Sequence, residues 1–191
     1  MTLMAEPFLE SSDSYIAHLR RSVLTQTIAS SKPYEAARDT SSPNRNLSPL
    51  TTELDDQDRL LVGGCLLSEL AKRYGTPLYV LDEVTLRSTC RAYRDALQRH
   101  YPGESLPVYA SKANSSLLMS SIAAAEGLGL DAVSAGELLT ALQGGMPGQR
   151  MVLHGNNKSD EELLLAYNND VTIVVDNQHD LERLEQLVPA G

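Results

Sequence analysis

From Val108 to Leu138 the chain reads VYASKANSSLLMSSIAAAEGLGLDAVSAGEL. Val108 to Ser111 is a short apolar run that ends in Lys112, and a helical stretch opens at Ser115. A second strand, Leu130 to Val133, apolar except for Asp131, comes next, and Ser134-Ala135-Gly136-Glu137 starts another helix with an S-x-x-E capping box. Strand, helix, strand, helix is the order a parallel sheet requires, because parallel neighbours must be joined by a crossover and a helix is the usual one.

The alternation continues on both sides. Downstream come a strand from Met151 to His154, a helix from Asp160 behind a second capping box of Ser159 and Glu162, a strand from Val171 to Val175, and a helix from His179 with Leu181, Leu184 and Leu187 on one face. Upstream, a helix from Leu66 to Arg73 stops at Gly75 and Pro77 to Leu81 reads as a strand. Asp82 then caps a helix whose Leu86, Cys90, Tyr93 and Leu97 recur at helical spacing. The expected class is α/β, and four strand-helix units in a row suit the first half of a (β/α)8 barrel or a doubly wound sheet. A half barrel leaves two open sheet edges and an unclosed core, so the expectation is a fragment or a truncated chain. Residues 1 to about 56 are rich in Ser and Thr with Pro33, Pro43 and Pro49, and read as a disordered tail; Ile16, Leu19 and Val23 alone hint at a helix there.

The chain has 191 residues, of which 42% are hydrophobic and 21% charged, with a net charge of −9. That is the balance of a globular domain, and the acidic excess argues against nucleic-acid or anionic-membrane partners, which need basic surface. Cys65 and Cys90 form no metal-ligand spacing and no disulfide framework, which fits a reducing cytoplasm. No stretch reads as a signal peptide or as a membrane span.

Lys112 is the first candidate for chemistry. It closes a strand at the carboxyl end, where parallel α/β folds place their active sites, and an amine there can capture a carbonyl cofactor covalently. Only a neutral amine does so, and burial and nearby helix N-termini favour that form. Asp131 on the next strand is a carboxylate able to stabilise a protonated imine, or else a polar strand residue bonded to backbone. Glu137 reads first as a capping residue, with room for a pocket role. His154-Gly155-Asn156-Asn157-Lys158 follows the third strand and can line a polar pocket, although a strand-end histidine is also a common structural residue.

Taken together, TPLYVLDE from Thr76, YASKAN from Tyr109, GLDAVSAGEL from Gly129 and HGNNKS from His154 resemble the diaminopimelate decarboxylases, which have the alanine-racemase-like fold of pyridoxal-phosphate enzymes. The likeness runs from about Gly64 to Leu187 with the four motifs in order. It implies that Lys112 is the lysine that forms the imine with pyridoxal 5'-phosphate, that Asp131 lies near it, and that Tyr109, Ala110 and His154 line the pocket, with no metal. It further implies that residues 57–105 hold a lead-in helix, a strand of a second, β-rich domain and a helix. Residues 106–191 would then be the N-terminal half of the cofactor-binding barrel. The implied reaction is decarboxylation of meso-diaminopimelate to lysine by a homodimer. The family's ring-stacking histidine, Gly-rich phosphate loop, acidic partner of the pyridine nitrogen and substrate-binding residues come later than this chain reaches, so the expectation is that these 191 residues alone neither bind the cofactor tightly nor turn over. A non-catalytic pyridoxal-phosphate carrier, a truncated partner of a full-length enzyme, and decarboxylases for ornithine, arginine or carboxynorspermidine are the competing readings.

Overall fold

The computed structural model describes residues 47–188. Most of the expected tail, including Ile16, Leu19 and Val23, lies outside the described residues, but the tail's last stretch is structured. Strands β1 (Thr52–Leu54), β2 (Leu60–Val62) and β3 (Cys65–Leu66) form a small antiparallel sheet in sequence order. The β1–β2 connection is held by Asp55, whose carboxylate accepts from the Gln57 and Arg59 amides and pairs with the Arg59 guanidinium. Gly63 and Gly64, at φ 59° and 73°, make the two-residue turn between β2 and β3. Both turn positions need positive φ, which glycine adopts without strain, so LLV-GG-CLL carried a hairpin signal that the reading above passed over.

Helix α1 (Leu67–Tyr74) follows and ends at Gly75, as expected. The strand expected from Pro77 to Leu81 does not form: the segment has no ladder partner among the described residues, and Tyr79 is 95% exposed. Its composition suits a strand, but backbone pairing needs a neighbour. Helix α2 (Glu83–His100) is capped by Asp82, whose carboxylate accepts from the Thr85 amide at 3.1 Å. Of its predicted apolar positions, Cys90 is buried, Leu86 and Leu97 are half-buried and Tyr93 is exposed.

The second sheet positions the site. Strands β4 (Val108–Ala110), β5 (Gly129–Ala132), β6 (Met151–Leu153) and β7 (Thr172–Ile173) are parallel and lie side by side in sequence order. The crossovers are α3 (Leu117–Ala125), α4 (Ala135–Gln143) and α5 (Asp160–Asn168), and α6 (Gln178–Leu187) follows β7. A doubly wound sheet requires the strand order to reverse, so that helices cover both faces. Here the order never reverses, and crossovers of one hand put every helix on the same face. The sheet therefore winds in one direction, as barrels do.

Alternation along the strands separates the two faces. Leu130, Ala132, Met151 and Leu153 are at most 1% exposed and pack with Ile122, Ala123, Leu138, Ala141 and Ala166 of the helices into one core. Ala110, Asp131 and Val152, matched in register across three strands, lie on the opposite face, where none is fully buried. Close packing leaves no room at two glycines. A Cβ on Gly129 would stand 2.3 Å from the Arg150 carbonyl oxygen, and one on Gly148 would stand 1.6 Å from that of Asn169. Both obstacles are backbone and cannot swing away.

Helix α2 is tied to this layer by an ionic clasp. Glu126, at the end of α3, accepts from Arg91 at 2.7 and 2.9 Å and from Arg87 at 2.9 Å, while its carbonyl accepts from Arg94. Arg91 and then Arg87 hold the Glu126 carboxyl at about 2, below the ordinary 4.5. A depressed acid stabilises the fold above its unfolded value, and that contribution is lost as the pH falls from 4.5 through 2. Thermal melts over that window should therefore fall more steeply for the native chain than for the Glu126→Gln variant. Parallel slopes would show that the clasp does not contribute.

Candidate active site at the carboxyl ends of the strands

Each sequence-predicted site residue sits at or near the carboxyl ends of β4, β5 and β6, but they do not all face the same way. Lys112 lies beyond the strand rather than on it, in a short 3-10 turn over Ser111–Ala113. It is exposed, where a buried strand-end amine was expected, because the turn carries it out past the sheet. Three lysines are described. Lys72 pairs with Glu69 at 2.7 Å on exposed α1, and Lys158 is sealed against Asp180 at 2.7 Å. Lys112 alone has no carboxylate or hydrogen-bond partner among the described residues.

Asp131 stands next to that turn. Its register partner is Ala110, and its backbone oxygen accepts from the Ser111 hydroxyl at 2.9 Å. Its Oδ1 is buried without a hydrogen-bond partner, and the nearest cation-forming group is the half-exposed His154, with Nδ1 at 3.8 Å, too long for a hydrogen bond. A buried acceptor left without a donor is costly in a finished structure and marks a place where a donor belongs. His154 continues the β6 ladder through its amide, which donates to the Ala132 carbonyl at 2.8 Å, so Asp131, Ala110 and His154 do come together.

Tyr109 does not join them. It points to the helix side and packs against the core, and its hydroxyl donates to the Asn114 carbonyl at 3.1 Å. Burial pushes the phenol up, which keeps that proton in place. The strand's alternation foretold this separation from Ala110; the pocket role assigned to Tyr109 came from resemblance.

Glu137 also departs from expectation. Ser134 does accept from the Glu137 amide at 3.3 Å, but the reciprocal half of the capping box is missing. The Glu137 Oε2 accepts instead from the Val133 amide at 2.8 Å and from the Ser111 hydroxyl. The full box does form at α5, where Ser159 and Glu162 exchange both bonds. Sequence reasoning singled out neither Ser111, which is 1% exposed, nor the Lys158–Asp180 pair. A small hydroxyl residue between a strand and a candidate lysine was the available signal for Ser111, whereas partners 22 residues apart leave none.

A common device runs along this rim. The third residue of α4, α5 and α6 is Glu137, Glu162 and Asp180, and in each helix its amide donates to the capping side chain, Ser134, Ser159 or Asn177. Each carboxylate then takes a donor from the preceding unit: Glu137 from Ser111, Glu162 from the Ala135 amide at 2.9 Å, and Asp180 from Lys158. As a result Asp180, not a leucine, is the buried residue of α6, and Leu181 of the predicted apolar face is 43% exposed.

Among known families, the one described as pyridoxal-dependent decarboxylase, pyridoxal binding domain, matches residues 84–190. The chain belongs to this family. Within the pyridoxal-dependent decarboxylases, it is 46% identical to the diaminopimelate decarboxylase of Synechocystis sp. over 76% of its own length and 33% of that protein's. Among solved structures, it superposes on the M. jannaschii diaminopimelate decarboxylase in co-complex with L-lysine at a TM-score of 0.64 and 30% identity, covering 72% of this chain and 32% of that one. A protein from Aquifex aeolicus superposes at 0.66 and 33% identity, over 72% of this chain and 33% of that one. The chain thus spans about a third of the length of the curated relatives it matches.

The residues present fit a pyridoxal cofactor on the side of its aldehyde. They offer an amine free of any carboxylate among the described residues and, on the strand paired with the one that leads to it, a buried carboxylate oxygen lacking a donor. Among the described residues no group of three His, Cys, Asp or Glu side chains could hold a metal, and no helix is long and apolar enough to cross a membrane.

Proposed function

We propose that this chain contributes the cofactor-anchoring wall of a pyridoxal-phosphate-dependent decarboxylase acting on meso-diaminopimelate to give lysine. The observation that carries the reading is Lys112, on a turn bonded through Ser111 to the backbone of Asp131, whose Oδ1 is buried without a donor. When bound, pyridoxal phosphate supplies an aldehyde for an amine and a ring that accepts the electron pair left as carbon dioxide departs. Lys112 holds the cofactor through its amine, and Asp131 presents Oδ1 as an acceptor for a proton carried on nitrogen. Ala110, without a bulky side chain, leaves space on the sheet face beside Asp131. His154 borders the same face, and its exposed ring is free to pack against a ligand.

The substrate assignment is supported by relatives named for that reaction at 41–46% identity and by the HGNNKS segment after β6. In this reading residues 106–191 are the first half of a (β/α)8 barrel, consistent with a sheet that winds one way, and residues 57–105 lead in from a second, β-rich domain. The working enzyme is a homodimer in the cytoplasm.

A chimera tests the function. Residues 64–187 replace the matching segment of the Synechocystis relative, and carbon dioxide release is followed with meso-diaminopimelate, ornithine and arginine in turn. Turnover of meso-diaminopimelate is the expected result, with ornithine and arginine as controls for the part the relative supplies; a chimera that folds but releases no carbon dioxide sinks the reading of this segment as the cofactor-anchoring wall. The 191-residue chain by itself is expected to be inactive, and lysine production from it would overturn that part of the reading.

A further inference from the structure

We propose that Ser111 and Glu137 are positioning residues for the Lys112 amine, a role that rests on the reading of Lys112 as the cofactor anchor. An exposed lysine has a long, mobile side chain, so where its amine can reach depends on how firmly its backbone is held. The Lys112 turn is only three residues long and would sway if its flanks were free.

Both flanks are fixed. On one side, buried Ser111 shares its hydroxyl proton between the Asp131 carbonyl and the Glu137 carboxylate. On the other, the Tyr109 hydroxyl holds the Asn114 carbonyl from the core side. The same Glu137 oxygen that accepts from Ser111 also accepts from the Val133 amide, two residues beyond Asp131. One carboxylate oxygen therefore locks together the residue before Lys112 and the end of the strand that bears Asp131. The origins of the amine and of the neighbouring carboxylate are set at a constant separation.

Helix capping does not explain this arrangement. In the same molecule Glu162 caps its own helix in the ordinary way, accepting from the Ser159 amide. Glu137 occupies the equivalent position in α4 yet bypasses the Ser134 amide and reaches across to the lysine turn. All three rim acids reach into the preceding unit, Glu162 to the Ala135 amide and Asp180 to Lys158, but only Glu137 does so at the residue next to Lys112 and gives up its own cap to do it.

The test uses the full 191-residue chain with an internal standard. Pyridoxal 5'-phosphate is added, the aldehyde is fixed on amines by brief borohydride treatment, and peptide mass analysis gives the labelling of Lys112 relative to Lys72. Lys72 sits on exposed α1, so the ratio cancels differences in cofactor concentration and overall yield. The native chain is expected to favour Lys112, and Ser111→Ala and Glu137→Ala should lower the ratio about tenfold, as loss of a held geometry does. Glu137→Gln keeps an acceptor oxygen and should stay within about threefold of the native ratio. Melting temperatures are recorded alongside, since a purely structural role would shift them and leave the ratio alone. Ser111→Ala removes a single oxygen and decides alone if Glu137→Ala does not fold. Ratios within about twofold of native in both alanine variants overturn the inference while leaving Lys112 as anchor. A loss in Glu137→Gln as large as in Glu137→Ala also overturns it, because charge rather than position would then act on the amine. If the native chain shows no preference for Lys112, the anchor reading itself fails and the inference falls with it.

Discussion

Lys158→Met will destabilise the fold by about 3–5 kcal/mol, the usual result of stripping one partner from a buried ion pair. The Lys158 side chain is 2% exposed and that of Asp180 1%, with 2.7 Å between Nζ and Oδ2. Methionine fills most of the space but leaves the Asp180 carboxylate in a dry site with its charge uncompensated. The amide of Asp180 is already committed to Asn177, so only the field at the start of α6 remains to favour the carboxylate. Asp176, the second carboxylate near Lys158 at 3.5 Å, suffers less. Its side chain is 35% exposed, and the carboxyl is held low first by the Asn177 amide and then by Lys158. Removing both charges in Lys158→Met with Asp180→Leu should recover most of the loss, since replacing a buried pair by apolar groups is often neutral. Urea midpoints for the two single variants and the double give the coupling directly. Additive losses would mean that the two residues do not act as a pair.

Lys112 should show the opposite profile. Lys112→Ala and Lys112→Arg are expected to change stability by no more than about 0.5 kcal/mol, because the side chain is exposed and has no described partner. Both should abolish the borohydride-fixed adduct on the peptide that carries residue 112. In the chimeric decarboxylase they should lower turnover by about a thousandfold or more, as loss of a covalent anchor does. Arginine is the sharper of the two variants: it preserves the positive charge but cannot become a neutral nucleophile near pH 7. Turnover that survives in Lys112→Arg would leave the lysine a merely electrostatic role, and an adduct that moves to Lys158 would show that the buried pair opens. Two lysines 46 residues apart are thus expected to report separately on stability and on cofactor capture, one buried in an ion pair and one exposed.

What the sequence disclosed follows the range over which each interaction acts. The Ser159–Glu162 box, the Asp82 cap and the end of α1 at Gly75 are settled within four residues and were legible. The four parallel strands were legible too, because each is an apolar run set between helical spacings. The structure places the candidate positions Lys112, Asp131 and His154 at the carboxyl ends of β4, β5 and β6, and all three were legible as motif residues. Their surroundings were not: the choice of Glu137 between Ser134 and Ser111 depends on how closely β4 approaches α4, which spacing alone does not reveal. The β1–β3 sheet was missed because its strands are two or three residues long, even though Gly63-Gly64 announced the turn. Pro77 to Leu81 misled in the other direction, since its residues suit a strand and nothing described pairs with them. Leu181, Leu184 and Leu187 were read as one face of α6; Leu184 and Leu187 are half-buried, but Leu181 is exposed and Asp180, paired with Lys158, is the buried residue.

The acidic residues at the third position of α4, α5 and α6 make the rim a directional sentence. Each helix is anchored by something its predecessor supplies, a hydroxyl, an amide or an ammonium, so every unit depends on the one before it. No sequence repeat records this grammar, because the donors differ chemically while the grip is the same. The molecule is therefore modular in its bonding without being repetitive in its residues. A unit could be exchanged for a foreign one provided that it brings an acid to receive and a donor to pass on.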